Sequence, residues 1–296
     1  MSEHQGGGYY LPQPSGWPIV GSVALLLFTS GMVLWANRLP GSWLVLAGLA
    51  VLFYMMFGWF GRVIDESEGG KYNDQVDRSF RWGMTWFIFS EVMFFAAFFG
   101  ALFYLRVLAV PWLGSGETGQ MLWPGYTPSW PTAGPLGPTL AGVNQAVPPG
   151  SNQFSSMGAW GIPALNTLIL LTSGLTVTIA HWGLKKNNRT QLTVWLFLTI
   201  CLGALFLGLQ AYEYVHAYTE MGLTLGAGAY GATFFMLTGF HGLHVTIGTI
   251  MLIVIWLRAL KGHFTPERHF AFEAVSWYWH FVDVVWLLLF VFVYAL

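Results

Sequence analysis

Three ionisable side chains lie within one strongly apolar segment near the end of the chain, which reads FEAVSWYWHFVDVVWLLLF over residues 272–290. They are Glu273, His280 and Asp283. Carboxylates and imidazoles can bind metal ions, relay protons or form hydrogen bonds. Residues spaced three or seven apart share one face of a helix. The spacing therefore predicts that the three side chains form a single polar stripe.

Similar groups interrupt other apolar segments, namely Glu91 in WFIFSEVMFF and two histidines in TGFHGLHVTIG. A charge at the centre of a membrane-spanning helix costs about 2.5–3.5 kcal/mol on insertion scales, so such groups should face protein, water or bound lipid. Glycines beside the two histidines, Gly239 and Gly242, are expected to allow close approach of a neighbouring helix. The simplest interpretation is that two polar stripes face each other in an interhelical network formed by His241, His244, Glu273, His280 and Asp283.

Metal ligation is the first alternative for these groups. His241 and His244 are three residues apart and could face one metal, while Glu213-x-x-His216 has the spacing of a carboxylate di-iron motif. A di-iron site needs two such motifs, and the sequence contains one. The single cysteine, Cys201, excludes a multi-cysteine site and is interpreted as a small core residue. The sequence therefore predicts no metal bound by this chain.

Proton transfer and lipid binding are the other two alternatives. Glu91 lies about nine residues into its apolar segment, or ~14 Å at the helical rise of about 1.5 Å per residue. A carboxyl group at that depth can hold or relay a proton, or it can simply form a hydrogen bond across helices. Arg62, Arg258 and Lys261 lie at the ends of apolar segments, where they can reach lipid phosphates or extend towards water without binding a specific lipid.

The composition predicts an all-α integral membrane protein. Charged residues make up 8% of the 296 residues and hydrophobic ones 55%, whereas soluble domains carry about 25% charged residues. A net charge of −1 argues against nucleic-acid binding. The polar N-terminus lacks the features of a secretory signal, so the first apolar segment is expected to remain as a span. Seven segments are long enough to span a bilayer, at 17–36, 42–61, 82–107, 162–184, 192–212, 232–257 and 270–295.

The connections between the segments predict the topology. Of the 12 Lys and Arg residues, all but Arg38 and Arg106 fall on one side of the membrane, which places the N-terminus inside and the C-terminus outside. The expected organisation is a first part at 1–61, a charged inner loop at 62–81 and a larger helical part at 82–296. The last part contains a long outer loop at 110–158, which is rich in Pro and Gly.

These residues resemble a known family, subunit III of cytochrome c oxidase. The likeness is carried by GAYGATFFMLTGFHGLHVTIGTIMLIV and HFTPERHFAFEAVSWYWHFVDVVWLLLFVFVY, together with RWGMTWFIFSEVMFF and PSGWPIVGSVALLLFTSGMVLW. It runs essentially from end to end, apart from the long third loop. Seven spans resemble the branch that oxidises cytochrome c, since the corresponding subunit of quinol oxidases has five.

The resemblance implies a fold and a set of site residues. It implies two helix groups, the first two spans and the remaining five, which form a V-shaped cleft filled by phospholipid. The residues that match family positions near lipid are Trp59, Arg62, Arg258 and Lys261. Glu91 matches the buried glutamate of the family motif S-E-V-x-F-F and is the proton-related residue. His244 and Glu273 match positions expected to form a polar link between the last two helices.

The resemblance also implies the function. The chain is expected to be a non-redox accessory subunit of a proton-pumping oxidase that reduces O2 to water, without catalytic residues or redox cofactors of its own. Its direct partner would be subunit I, which holds the haems and copper, with subunit II and small subunits as further partners and cytochrome c as substrate of the complex. The alternatives are a purely structural lipid-binding subunit and an independent transporter, which the lack of an internal repeat disfavours.

Two departures from the family pattern bear on location and mechanism. The chain reads GKYND where many relatives have His-Thr, so a proton-collecting role of surface imidazoles is not carried over. The third loop is longer than in the mitochondrial form, and the second loop is acidic. Both features predict a protein of the bacterial inner membrane rather than the mitochondrial one.

Overall fold

The computed structural model describes residues 10, 12–137 and 154–296, and these form an almost entirely helical chain. Two of the helices end in a π-helical segment, Tyr104–Ala109 after α3 and Phe290–Ala295 after α9. The α-helices are α1 Trp17–Ala36, α2 Ser42–Glu68, α3 Asp74–Phe103, α4 Val110–Gly114, α5 Gly116–Leu122, α6 Ile162–Lys185, α7 Arg189–Thr219, α8 Gly228–Leu260 and α9 Phe270–Leu289.

Within the described residues, seven helical segments are long and apolar enough to cross a membrane, which confirms the predicted number of spans. The first and last begin and end where the apolar pattern predicts, at Trp17–Ala36 and Phe270–Ala295. The others extend beyond the apolar segments by one to several residues at their ends. Polar residues at helix ends lie beyond the hydrocarbon, so they continue the helix without a burial penalty.

The segment 62–81, expected to be a charged loop, is mostly helical, because α2 continues to Glu68 and α3 begins at Asp74. Oppositely charged side chains one turn apart stabilise both ends. Arg62 Nε lies 3.4 Å from Glu66 Oε1, and Arg81 Nε lies 2.7 Å from Asp77 Oδ2. In the short connection, the Tyr72 hydroxyl donates to Glu66 Oε2 at 3.0 Å. Burial, followed by this hydrogen bond, raises the pKa of Tyr72 above its ordinary value.

The chain divides into two compact units, Met1–Trp82 and Gly83–Leu296. In the first unit, α1 and α2 form a hairpin whose backbones approach closely at two glycines. A Cβ at Gly31 would lie 2.5 Å from Val45 N, and one at Gly48 would lie 2.5 Å from Phe28 N. Contact between small residues is how helices pack where lipid competes for apolar side chains. The other faces of both helices remain largely exposed.

In the second unit, the buried indole of Trp279 on α9 joins four helices. Its Nε1 donates to Ser173 Oγ of α6 at 2.9 Å. A Cβ at Gly203 of α7 would lie 2.8 Å from Trp279 Cη2, and one at Gly248 of α8 would lie 2.9 Å from Trp279 Cε3. The two glycines therefore form a slot into which the ring fits. Side chains larger than hydrogen at either position would collide with it.

Two expectations about individual residues are wrong. Within the described residues, nothing lies within 4 Å of a Cβ placed at Gly242, and the only atom near Gly239 is the Tyr214 hydroxyl oxygen at 3.5 Å. The close approach on α8 occurs at Gly248 instead. Cys201 is exposed on the surface of α7 rather than buried in the core. Hydropathy cannot separate the two faces of a helix that is apolar all round.

The long outer connection begins with α4 and α5, and its next residues dock on the start of α8. Tyr230 N donates to Thr132 O at 3.0 Å, and Ala229 N donates to Ala133 O at 3.3 Å. Gly228 permits this contact because its φ is +80° and a Cβ there would lie 2.0 Å from Ala133 O. The part of the predicted loop at 138–153 lies outside the described residues.

Candidate functional site

An acid–imidazole pair joins α3 to α8 inside the second unit. Glu91 Oε2 lies 2.8 Å from His244 Nε2. The other ring nitrogen, His244 Nδ1, lies 2.6 Å from Phe240 O, one helical turn earlier. A backbone carbonyl can only accept a hydrogen bond, so Nδ1 carries a proton and donates it. Nε2 is therefore left to exchange a proton with Glu91.

In this arrangement Glu91 and His244 can share one proton. When the proton is on Glu91, the carboxyl group donates to the lone pair of Nε2. When it is on Nε2, the imidazolium donates to the carboxylate. The pair is neutral overall in both forms, and this avoids the large free-energy cost of an unpaired charge in apolar surroundings.

Aromatic rings surround the pair and shield it from water. The His244 ring lies 5.0 Å from the Phe95 ring and stacks on the Tyr278 ring at 6.3 Å, measured between centroids. The motif SEVMFF creates part of this environment, because Phe94 and Phe95 are three and four residues after Glu91 on the same helical face. The Glu91 side chain is 22% exposed and that of His244 is 10% exposed. Glu91 is therefore the more accessible member of the pair.

His241 belongs to a different contact, one that links α8 to α9. Its Nε2 lies 3.2 Å from Val282 O and donates a hydrogen bond to it. The ring lies between Phe206 and Trp286, with centroid distances of 5.7 and 5.1 Å, and the residue is fully buried. His241 and His244 thus reach different neighbours and do not converge on a common metal position.

The expected polar link between His244 and Glu273 is wrong, because Glu91 and Phe240 O occupy both ring nitrogens of His244. The face of α9 that meets α8 is aromatic instead. The Tyr278 hydroxyl donates to His244 O at 3.4 Å, while Trp279 fills the slot beside Gly248.

The polar stripe of α9 faces α6. Thr178 Oγ1 lies 3.3 Å from His280 Nε2, and His280 Nδ1 lies 3.5 Å from Asp283 Oδ2. The carboxylate of Asp283 lies against α6 at Gly174, where a Cβ would be 2.3 Å from Asp283 Oδ2. The stripe predicted from spacing is therefore present on α9, but its partner helix is α6 rather than α8.

The structure adds two histidines that the sequence analysis missed. Glu273 Oε1 lies 3.2 Å from His269 Nε2 and 3.7 Å from His181 Nε2. His269 precedes Glu273 by four residues, so the i, i+4 spacing in HFAFE could have revealed this contact. His181 comes from α6, and no local pattern connects it to α9.

The structure does not bring Glu213 and His216 together on one metal position. Glu213 is buried, and its Oε1 accepts a hydrogen bond from the Tyr294 hydroxyl at 2.7 Å. The His216 side chain is 40% exposed, and its Nδ1 lies 3.1 Å from Glu220 Oε2. The two side chains of the spacing motif therefore serve different contacts.

Of the four residues matched to lipid positions, two lie at the end of α8 and two lie within α2, before its last residue, Glu68. Trp59 is 49% exposed on α2, and Arg62 follows it one turn later beside Glu66. In the second unit, the Arg258 guanidinium lies 4.8 Å from the centre of the Phe264 ring. Lys261 caps the end of α8, in a shallow depression that it shares with residues 189–193 at the start of α7.

Together, the helices and the Glu91–His244 pair define a membrane-spanning helical protein with ionisable groups inside its bundle. Residues 7–125 and 133–296 match the family described as Cytochrome c oxidase subunit III. The chain is 42% identical to Cytochrome c oxidase subunit 3 of Dugong dugon over 98% of both sequences. It is 40% identical to the proteins of that name from Antilope cervicapra and Halichoerus grypus, again over 98% of both.

The chain therefore belongs to the cytochrome c oxidase subunit III family, which confirms the resemblance seen in its motifs. Membership implies an accessory subunit of a multi-subunit oxidoreductase complex that is embedded in a membrane.

Proposed function

We propose that this chain is a non-redox subunit of a proton-pumping cytochrome c oxidase and that Glu91 and His244 hold a proton in support of proton uptake by subunit I. The observation that carries the proposal is the 2.8 Å contact between Glu91 Oε2 and His244 Nε2. Electron transfer from cytochrome c and reduction of O2 belong to the partner subunits with their haems and copper. This chain contributes binding surface and the proton-holding pair.

The pair suits a proton-holding role because its proton can move without separating charge over a long distance. Transfer from Glu91 to Nε2 breaks one O–H bond and forms one N–H bond, and the partners remain in contact. The aromatic shield strengthens this hydrogen bond by lowering the local dielectric constant. The exposed fraction of Glu91, 22%, leaves a side from which water or a partner subunit can deliver a proton.

The surface of α3 supports direct packing against subunit I, with subunit II and small subunits as further partners. Only 11% of the apolar window of the span containing α3 is buried within the chain, against 56% for the span that begins with α9. Large exposed apolar surfaces need a protein or lipid cover. We assign part of this cover to the catalytic subunit, because Glu91 lies on α3 and its side chain remains 22% exposed.

Bound phospholipids complete the proposal. Trp59, Arg62, Arg258 and Lys261 are aromatic or basic residues at the ends of apolar segments, where such side chains can reach lipid phosphates. The N-terminus is assigned to the inside and the C-terminus to the outside on the distribution of basic residues. The length of the third loop favours a location in the bacterial inner membrane.

The experiment that tests the proton role is Glu91→Gln in the purified oxidase. Glutamine keeps the volume and can donate its amide N–H to His244 Nε2, but it cannot release a proton at ordinary pH. We expect turnover to fall more steeply with rising pH than in the wild type, and fewer protons to be pumped per electron. Turnover and proton stoichiometry would be measured from about pH 6 to about pH 9.

The matched control is Glu220→Gln, because Glu220 and His216 form the same kind of pair on the surface, where the Glu220 side chain is 70% exposed. This variant should behave as the wild type. If Glu91→Gln also leaves turnover and stoichiometry unchanged throughout the pH range, the proton role is refuted. The pair would then be a structural hydrogen bond in a lipid-binding subunit.

A further inference from the structure

We propose that His181, His269 and Glu273 form a binding site for a divalent transition-metal ion of the zinc class, where α6 ends and α9 begins. His181 lies one turn before the last residue of α6, His269 immediately precedes α9, and Glu273 lies in the first turn of α9. The site is separate from the Glu91–His244 pair. It also revises the prediction that this chain binds no metal, since that prediction considered other histidines.

The distances fit an ion held by three ligands. Glu273 Oε1 lies 3.2 Å from His269 Nε2 and 3.7 Å from His181 Nε2. All three candidate ligand atoms lie within 4.8 Å of one another. A tetrahedral zinc ion with bonds of about 2.0–2.1 Å separates neighbouring ligand atoms by about 3.3 Å. The His181 nitrogen, 3.7 Å from Glu273 Oε1, would have to move closer to the carboxylate to reach this geometry.

The orientation of His269 shows why a cation suits this position. Its Nδ1 lies 3.1 Å from Thr265 O and donates a hydrogen bond to that carbonyl. In the neutral ring, Nε2 then presents a lone pair towards the oxygen of a carboxylate, which is a repulsive contact. A carbonyl behind one nitrogen is also the usual support for an imidazole that binds a metal through the other.

Both imidazoles lack a conventional partner at the nitrogen that faces the cluster. Among the described residues, Nε2 of His181 and Nε2 of His269 are buried and have no hydrogen-bond partner. A proton could satisfy one imidazole against the carboxylate. A divalent ion would satisfy both imidazoles and the carboxylate together. The Phe272 ring, 5.3 Å from the His181 ring, forms one wall of the site.

The chemistry of the ligands selects the ion. Imidazole nitrogens suit zinc and its transition-metal neighbours, whereas magnesium and calcium prefer sites made of oxygen ligands. Two imidazoles and one carboxylate leave a fourth position for water, so the ion would be exchangeable. Binding would replace water around the ion with the three side chains and would join α6 to α9 beyond the Trp279–Ser173 hydrogen bond.

The test is a zinc-binding measurement on the intact oxidase that contains this chain. The complex would be freed of loosely held metal with a chelator, equilibrated with Zn2+ and analysed for zinc per haem iron. We expect wild type to hold one equivalent of zinc more than His181→Ala. The control His216→Ala, which removes an exposed histidine on α7, should bind as wild type does.

A rescue variant separates ligation from structure. His181→Cys restores a ligand, since thiolate binds zinc, and should recover the lost equivalent. X-ray absorption at the zinc edge should then show sulfur scattering in the variant and imidazole scattering in wild type. If His181→Ala fails to assemble, the zinc content per haem iron of His181→Gln is compared with that of His181→Cys, and the cysteine variant should hold one equivalent more. Equal zinc per haem iron in wild type and in every assembled variant would show that these three residues do not bind zinc.

Discussion

Several polar side chains inside the second unit form hydrogen bonds with groups on other helices. Glu91 binds His244, His241 donates to Val282 O, and the Tyr294 hydroxyl donates to Glu213 Oε1. Each contact satisfies a group whose isolation in apolar surroundings costs about 1–3 kcal/mol or more. These contacts therefore determine which helical faces meet as well as contributing to stability.

Removing one member of the Glu91–His244 pair should reveal this coupling. His244→Ala leaves the carboxyl group of Glu91 without its partner, and we expect a loss of about 1–3 kcal/mol in stability. Glu91→Ala added to that variant should cost less than it does alone, with a coupling energy of about 0.5–3 kcal/mol. Denaturation midpoints of the four proteins in detergent would measure it.

The exposed pair His216–Glu220 provides the control cycle, for which we expect a coupling of about 0.2–1 kcal/mol. Strictly additive losses at Glu91 and His244 would mean that the 2.8 Å contact contributes nothing to stability. Equal coupling in the two cycles would show that shielding by the aromatic rings has no effect.

At this scale the sequence predicts which residues need partners but not which partners they have. Glu91, His244 and Glu273 were all recognisable as ionisable groups in apolar segments. The pairing between them was wrong because spacing describes one helix at a time. Tyr278 and Trp279 occupy the face of α9 that meets α8, and this tertiary packing turns Glu273 towards His181.

At the scale of the elements, the most constrained contact is the slot that holds Trp279. The ring lies against Gly203 of α7 and Gly248 of α8, and its Nε1 binds Ser173 of α6. One side chain therefore sets the spacing of four helices. The glycines were visible in the sequence, but only the structure shows that Gly248, and not Gly242, meets a neighbour.

Gly248→Ala should destabilise the four-helix junction. The added Cβ would lie 2.9 Å from Trp279 Cε3, and overpacking of this kind costs about 1–3 kcal/mol. Gly242→Ala lies on the same helix with no described atom near its Cβ, so it should be neutral or slightly stabilising through better helix propensity. Thermal denaturation would compare the midpoint temperatures of the two variants. Equal midpoints would contradict the tight packing of Trp279 against Gly248.

The ends of the helices show what hydropathy alone does not predict. The apolar pattern located all seven spans, because about 20 apolar residues in succession are typical of a helix that crosses a bilayer. It ended α2 too early and began α3 too late, since the Arg62–Glu66 and Asp77–Arg81 pairs lie in helical turns beyond the apolar residues. Charged residues indicate that a segment lies in water outside the bilayer, but they do not indicate that it is a loop. Opposite charges four residues apart also stabilise a helix.

At the scale of the whole molecule, burial is uneven among the spans. The apolar windows of the first three are 11%, 6% and 11% buried within the chain, whereas that of the last is 56% buried. The exposed apolar surface is therefore concentrated in the first three spans. A chain of this kind is built to be covered by lipid and by neighbouring subunits, which agrees with membership of an oxidase subunit family.

The most direct test of the central claim is purification of the tagged chain in a gentle detergent, with a visible spectrum and identification of co-purifying proteins by mass spectrometry. We predict that haem and copper arrive in proportion to a larger hydrophobic subunit. After the subunits are separated, the haem absorption should stay with that partner. A haem band retained by this chain alone, or a colourless chain without partners under conditions that preserve complexes, would contradict the account.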